Sequence, residues 1–246
     1  MNSIRYKISA FAGKTLIFFL EKIIALFVKN DIYLDVQKFE WIKNIEENAH
    51  LIQAEFDAFC KQQYEQIPDI CAISEEQYQV VKKDEWKFIP LYTYGIKIHS
   101  FASFFPNTIQ LINTIPDFTT VFFSMLQPHT KIASHRGAYK GYLRYHLGVK
   151  IPDDFQKCGI NIQGKIYHWQ NGKSVVFDDT FEHFAWNDSD ELRTVLYVDF
   201  IRPMPKFLKL ISKWLTTSIS KSLFVQNAIK KINNFEKDSN LVKILG

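Results

Sequence analysis

Gly141-Tyr-Leu-Arg-Tyr-His-Leu-Gly-Val149 alternates between two kinds of residue. Successive side chains of an extended strand point to opposite sides. Leu143, Tyr145, Leu147 and Val149 therefore share one face, which is apolar and belongs in a core. Tyr142, Arg144, His146 and Gly148 share the other, which sets a guanidinium and an imidazole two residues apart. If that face lines the inside of a barrel, the cation there requires an anion. A carboxylate ligand, held in bidentate geometry by Arg144, would supply it.

Period-two segments continue on both sides, between Pro116 and Pro203. Thr119–Leu126, Gly141–Ile151, Cys158–Ile162, Lys165–Trp169, Lys173–Asp178 and Thr194–Ile201 are expected as strands. Gln163-Gly164 reads as a tight turn, and Asn171-Gly172 carries the strongest hairpin signal in the chain. Short antiparallel strands joined by turns predict a mainly β fold, a closed barrel or jelly roll. In the last strand Arg193, Val195, Tyr197 and Asp199 share a face, so Arg193 offers a second place for a carboxylate. Two arginines aimed into one small barrel suit a dicarboxylic acid. His135 precedes the Arg144 strand and His183 follows Val175–Asp178. Neutral imidazoles at turns beside a barrel mouth are good ligands for Fe(II). His129 is expected at the surface or in a loop, and His99 and His168 show no partner pattern.

The flanks read as helix. Residues 1–30 place Lys7, Lys14, Glu21 and Lys29 on a narrow polar stripe, with apolar side chains around the rest. Such a helix lies in a membrane interface, docks in a protein groove or is buried in the core. Residues 31–117 read as a mixed helical segment packing on the barrel. Phe39, Ile42, Ile45, Ala49, Ile52 and Phe56 predict one helix from Asp35 to Gln62. Ser74-Glu75-Glu76-Gln77 has the form of a capping box, and Pro106 and Pro116 bracket a short helix. Residues 118–203 form the expected β core. In residues 204–246, Phe207, Leu208, Ile211, Trp214, Leu215 and Ile219 make one face, with Lys206, Lys209, Lys213 and Lys221 mostly off it. A basic amphipathic helix with a Trp reads as membrane-surface binding, against packing on the barrel.

Composition sets the bounds. At 246 residues, 47% of them hydrophobic and 22 of them Phe, the chain builds a large core. A net charge of +4 without a dense basic tract argues against a nucleic-acid partner. Cys60, Cys71 and Cys158 are odd in number and form no CxxC pair, which excludes a disulfide framework and a cysteine zinc site and fits a reducing cytoplasm. No cleavable signal is evident, and the apolar run near the N-terminus is broken by Glu21 and Lys22, short of the roughly 20 residues a spanning helix needs.

His135-Arg-Gly-Ala-Tyr-Lys-Gly-Tyr-Leu-Arg144-Tyr-His146-Leu-Gly, then Phe177-Asp-Asp-Thr-Phe-Glu-His183, then Arg193, then Asp199-Phe-Ile-Arg-Pro203 make one long ordered motif. It resembles the aspartyl/asparaginyl β-hydroxylase family of Fe(II)/2-oxoglutarate dioxygenases. The His-Arg-Gly opening and the helical flanks look most like the bacterial lipid A acyl-chain 2-hydroxylases. The resemblance implies a double-stranded β-helix, or jelly roll, with N-terminal helices packed on it and a helical C-terminal extension. It implies that His135 and His183 ligate iron, that Arg144 and His146 contact the 1-carboxylate end of 2-oxoglutarate, and that Arg193 with Ser124 holds the distal carboxylate. In the wider superfamily a third, carboxylate ligand follows the first histidine by two residues. Here that position is Gly137, and the resembled family shares the gap. Asp178 and Asp179 are expected to serve the turn and the orientation of His183 rather than ligation.

The implied activity couples O2 and decarboxylation of 2-oxoglutarate to hydroxylation of a C–H bond. The expected substrate is an acyl chain of a membrane lipid such as lipid A, reached from the cytoplasm at the inner face of the inner membrane. β-Hydroxylation of Asp or Asn side chains in a protein is the alternative enzyme reading. A jelly-roll module that only binds a carboxylate is the non-catalytic one.

Overall fold

The computed structural model describes residues 15–238. Lys7, Lys14 and residues 239–246 lie outside the described residues, so the polar stripe expected over 1–30 is addressed only in its second half. Strands β1 (Tyr33–Leu34), β2 (Trp86–Thr93), β3 (Ile96–Lys97), β4 (Phe118–Leu126), β6 (Tyr142–Lys150), β9 (Ser174–Phe177) and β11 (Arg193–Ile201) form a major sheet in the order β1-β9-β6-β11-β4-β2-β3. Strands β5 (Thr130–His135), β7 (Cys158–Ile162), β8 (Lys165–Tyr167) and β10 (His183–Asn187) form a minor sheet in the order β5-β10-β7-β8. From β4 to β11 the chain steps back and forth between the sheets, every pairing antiparallel. That is a double-stranded β-helix, as expected.

The major sheet is the middle layer. On its outer face Leu143, Tyr145, Leu147 and Val149 of β6 are buried, as their alternation predicts. They lie under α2 (Glu40–Glu47) and α3 (Ala49–Gln63), with α6 (Pro106–Ile112) packed against α3. Trp41 meets Tyr145 at 5.0 Å between ring centroids and Phe56 meets Phe123 of β4 at 5.2 Å. The helix expected from Asp35 to Gln62 is instead a short 3₁₀ turn followed by two helices, broken at Asn48, whose side-chain amide donates to the Asn44 carbonyl at 2.8 Å. A short 3₁₀ helix does follow Ser74, without a side-chain cap bond.

Three expectations change. The sheet reaches upstream of residue 118, because β2 and β3 extend it beyond β4. Asn171-Gly172 does not turn a hairpin. The chain crosses there from the minor to the major sheet, with Asn171 Oδ1 accepting from Ile151 N at 2.8 Å and Gly172 at φ +69°. Finally, β5 and β10 are strands where the sequence suggested turns, and they end and begin at His135 and His183.

Helix α1, described over residues 15–25, lies beside α7 (Lys206–Ser220), and α8 (Leu223–Asp238) follows. Leu20 and Ile24 pack with Leu208, Leu215 and Tyr139 in a cluster of their own. Tyr139 and Tyr142 share short hydrogen bonds with Ser212 and Thr216 of α7, at 2.7 and 2.6 Å. Glu21 faces inward rather than along a solvent stripe, and accepts from Arg136 Nη2 at 3.3 Å and from the Lys140 backbone at 3.2 Å. The outward face of the pair is apolar: Phe19, Ile23, Leu26 and Phe27 on or just past α1, with Leu210 and Trp214 on α7, are exposed. Phe27 and Phe207 join the two helices across 5.6 Å. Among the described residues no helix is long and apolar enough to cross a membrane.

Candidate active site

Neighbouring strands of the major sheet bring their inward side chains into rows. Arg144 of β6 lies opposite Asp199 of β11; His146 lies opposite Tyr197; Gly148 and Ser124 flank Val195; and Arg193 lies opposite Leu126. Gly148 has no room for a Cβ, which would run into the Gln170 carbonyl.

Across the cavity, His135 and His183 are direct partners in the minor sheet. A bulge sets two residues of β5, Ala133 and Ser134, against one of β10, Phe184, beside this pair, re-aiming the strand end as bulges do. The ring centroids stand 4.3 Å apart. Each Nδ1 bonds a backbone carbonyl two residues back, Ala133 for His135 and Phe181 for His183, both at 2.8 Å. A carbonyl only accepts, so Nδ1 carries the proton and Nε2 is left with a free lone pair. Burial pushes His183 down to about 3, aided by His135 and Arg144, and holds His135 below its ordinary value. Both rings are thus neutral at pH 7, the form that ligates a metal. No cluster of three or more His, Cys, Asp or Glu that could hold a metal exists among the described residues.

The two arginines differ. Arg144 is saturated: Nε and Nη2 meet Asp199 at 2.9 and 3.2 Å, Nη2 meets Asp179 at 2.7 Å, and the guanidinium lies 4.3 Å over the Tyr197 ring. Burial lowers its pKa, but Asp179 and Asp199 outweigh burial and raise it overall. The anion that the sequence requires beside Arg144 is therefore the protein's own. Asp179 itself is pushed up to about 6, first by burial and then by Asp199 and Asp178, against Arg144. A Cβ on Gly137 would collide with the Asp179 carboxyl, so that group fills the space a side chain at this position would take. Asp178 instead takes Lys140 at 2.9 Å and Arg202, which with Thr180 hold it below its ordinary value against the push of burial. The Lys140 and Arg202 positions of the motif are thereby explained.

Arg193 is 2% exposed and, among the described residues, has no carboxylate within ion-pair distance. Its guanidinium lies 4.7 Å over the Trp169 ring and its Nε has no partner. Burial pushes it down to about 10. Beside it, Ser124 Oγ accepts from Trp86 Nε1 at 3.0 Å, leaving its own hydrogen free to donate. Both nitrogens of buried His146 are unpartnered, as is Trp169 Nε1. Burial first, then Arg144 and Arg193, hold His146 well below its ordinary value. Buried polar groups are nearly always paired, so an unpaired cation and three unpaired ring nitrogens together mark a place for a ligand. A carboxylate suits Arg193 and Ser124, and two free imidazole Nε2 atoms suit Fe(II).

His135, His183, Arg144, His146, Arg193 and Ser124 line one cavity of about 40 Å³. That is room for roughly one or two waters. The ring nitrogens of His146 and Trp169 in its wall have no hydrogen-bond partners among the described residues.

Residues 46–203 match the family described as aspartyl/asparaginyl β-hydroxylase. The chain belongs to the aspartyl/asparaginyl β-hydroxylase family. An ornithine lipid ester-linked acyl 2-hydroxylase of Rhizobium tropici is 32% identical over 203 residues, covering 82% of this chain and 72% of that protein. The human aspartyl/asparaginyl β-hydroxylase is 29% identical over 133 residues, covering 52% of this chain and 17% of that longer protein. A Pseudomonas putida prolyl-4-hydroxylase structure aligns over 63% of this chain and 88% of its own at 15% identity, with a TM-score of 0.42. The family carries the coarse activity, a hydroxylase.

Within this cavity the sequence reading missed Trp86, Trp169, Phe177 and Tyr197, which also line it. Tyr197 was readable, since it shares the period-two face of Arg193. Trp169 sits where the chain crosses between sheets and Trp86 comes from the unforeseen β2, so neither carried a local signal. His129 pairs with Asp190 at the surface, and His168 bonds the Cys158 carbonyl.

Proposed function

We propose that this β-hydroxylase family member is an Fe(II)- and 2-oxoglutarate-dependent dioxygenase that hydroxylates an acyl chain of a membrane lipid. The observation that carries the cofactor reading is Arg193, a buried cation without an anion, in one cavity with two neutral imidazoles whose Nε2 atoms are free. His135 and His183 hold the metal. Arg193 and Ser124 take the distal carboxylate of 2-oxoglutarate, and His146, with Arg144 beside it, faces the 1-carboxylate end. Because Asp199 and Asp179 already balance Arg144, the charge complement for the ligand falls to Arg193. When bound, the metal supplies O2 activation coupled to decarboxylation, so that one O2 and one 2-oxoglutarate yield succinate, CO2 and one hydroxylated C–H bond. The chain's own residues hold the ligand, fix the histidine tautomers and exclude water with Trp86, Phe177, Trp169 and Tyr197.

The acyl-chain substrate is supported by the name of the Rhizobium relative and by the apolar face of α1 and α7. That face suits a membrane surface, where Lys22, Lys29 and Lys206 meet anionic lipid at about 1 kcal/mol each. Access is from the cytoplasmic side of the inner membrane. The name of the human relative favours β-hydroxylation of Asp or Asn in a protein as the second reading.

Succinate formation by purified protein with Fe(II), O2 and 2-oxoglutarate tests the proposal, run beside His135→Ala, with bacterial lipid vesicles or an Asp-containing peptide. Lipid-stimulated turnover lost in the variant is the expected result. Stimulation by peptide alone selects the second reading. No turnover and no metal binding leaves a carboxylate-binding module and refutes the enzyme.

A further inference from the structure

Residues 136–141 connect His135, the last residue of β5, to β6, which carries Arg144 and His146. They form neither helix nor strand. The barrel holds this connection from within. The Asp179 carbonyl accepts from Gly137 N at 2.7 Å, Asp178 takes the Lys140 ammonium at 2.9 Å, and the Gly141 carbonyl accepts from Arg202 N at 2.9 Å. From outside it is held by the two helices of the apolar face. Glu21 of α1 spans it, accepting from Arg136 Nη2 at 3.3 Å at one end and from Lys140 N at 3.2 Å at the other. Tyr139 shares a hydrogen bond with Ser212 of α7 at 2.7 Å and packs among Leu20, Ile24, Leu208 and Leu215. The residue that follows His135 and the lysine that reaches Asp178 thus share one carboxylate on α1.

Leu16, Phe19, Ile23, Leu26 and Phe27, on or just past α1, are exposed, while Leu20 and Ile24 alone are buried among its described residues. In water α1 is held to the barrel chiefly by Leu20, Ile24, the half-buried Ile17 and Glu21. A helix of this size draws its stability from such packing. A bilayer that covers the exposed face leaves these contacts in place. Were α1 to leave the barrel for the lipid, the Glu21 carboxylate would exchange its N–H donors for an apolar medium, a costly transfer. Lipid on one face and the 136–141 connection on the other therefore favour the same position of α1. Two sites that bias one element are coupled, and the coupling is reciprocal.

We propose that Glu21 is a positioning residue that couples docking of the α1–α7 face on a membrane to cofactor binding. A docked α1 holds residues 136–141, and with them His135 and the Lys140–Asp178 pair, in the binding geometry. The inference rests on the membrane-surface and cofactor readings above. It biases 2-oxoglutarate binding towards the surface where the substrate lies, and so limits decarboxylation without substrate elsewhere.

The test uses the full chain loaded with Mn(II) in the absence of oxygen, so that nothing turns over, and vesicles of phosphatidylethanolamine and phosphatidylglycerol in equal parts. Titration calorimetry gives the 2-oxoglutarate Kd with and without vesicles. Flotation gives the vesicle affinity with and without 2-oxoglutarate. In the wild type, vesicles are expected to lower the Kd by about fivefold or more, and saturating 2-oxoglutarate to raise vesicle affinity by the same factor. Glu21→Ala keeps a good helix former and the whole apolar face, so it still binds vesicles, but its Kd is expected to be the same with and without them. Arg136→Gln frees one end of the span at an exposed side chain and is expected to lose part of the vesicle effect. Vesicle binding by the wild type with an unchanged Kd overturns the coupling while leaving the membrane reading standing. A full vesicle effect in both variants overturns Glu21 as its carrier. No vesicle binding by the wild type overturns the membrane reading and the coupling with it, and no 2-oxoglutarate binding in any condition overturns the cofactor reading and the coupling.

Discussion

Replacing Arg193 by Met is expected to stabilise the ligand-free protein while destroying its affinity for 2-oxoglutarate. Burial pushes the guanidinium down to about 10, well below its ordinary value. At about 1.4 kcal/mol per pH unit, the folded state carries about 3 kcal/mol of uncompensated desolvation. A base whose folded pKa is depressed is protonated more readily in the unfolded chain. The cost is therefore complete at every pH below about 10, neutral pH included, and fades only as pH rises above that towards the ordinary arginine value. The stacking over Trp169 offsets roughly 1–2 kcal/mol of it. Met keeps an apolar stem in the same place, so the net gain is about 1–2 kcal/mol, or roughly 2–6 °C in Tm for a chain of this size. Ligand binding moves the other way. A buried charge-assisted pair with the distal carboxylate contributes about 2–5 kcal/mol, so affinity falls by roughly 30-fold or more. Thermal melts of the Mn(II)-loaded protein without oxygen, with and without 2-oxoglutarate, read both effects at once. The wild type melts lower alone and rises with ligand; the variant melts higher alone and does not rise. A variant that melts below the wild type and keeps the full ligand-induced rise would refute the reasoning.

Three further outcomes are expected. Gly137→Asp, which restores the residue type of the usual triad, displaces Asp179 from Arg144 and lowers kcat/KM by about tenfold or more; full activity with tighter metal binding would contradict this. Asp178→Asn leaves Arg202 and Lys140 buried without their anion, costing about 3–5 kcal/mol and roughly 10 °C in a thermal melt, and a loss under about 3 °C would count against it. In the metal-free protein His183 is protonated near 3 when folded and near 6.5 when unfolded. Its share of stability is therefore full above 6.5 and drains as pH falls below that, at about 1.4 kcal/mol per pH unit. Urea midpoints from pH 7 to 5 should show the slope, and His183→Asn should flatten it.

The β6 strand was legible because its alternation is unbroken and its apolar face, Leu143, Tyr145, Leu147 and Val149, is buried throughout. β5 and β10 were not. The bulge at the His135 end destroys the period of two in Thr130–His135, and β10 is only five residues long. β2 was hidden by Pro90, which breaks ladder pairing in most strands. It is tolerated here where the β2–β4 register shifts, between Pro90 and Tyr92. Asn171-Gly172 was legible as a turn but not as a crossing, because a turn's backbone demand is local and the sheet its next strand joins is not.

The sequence by itself determined the jelly-roll class, the family and the six polar residues that line the cavity. Each rests on short-range order: a period of two, a turn signal, a motif of fixed spacing. Only the tertiary structure decided what those residues have to offer. Arg144 and Arg193 look alike in the chain, yet Asp179 and Asp199 neutralise the first, and among the described residues no carboxylate pairs with the second. Whether a buried charge is matched depends on which distant strands close over it, and that is settled by sheet register and packing, not by neighbours in sequence.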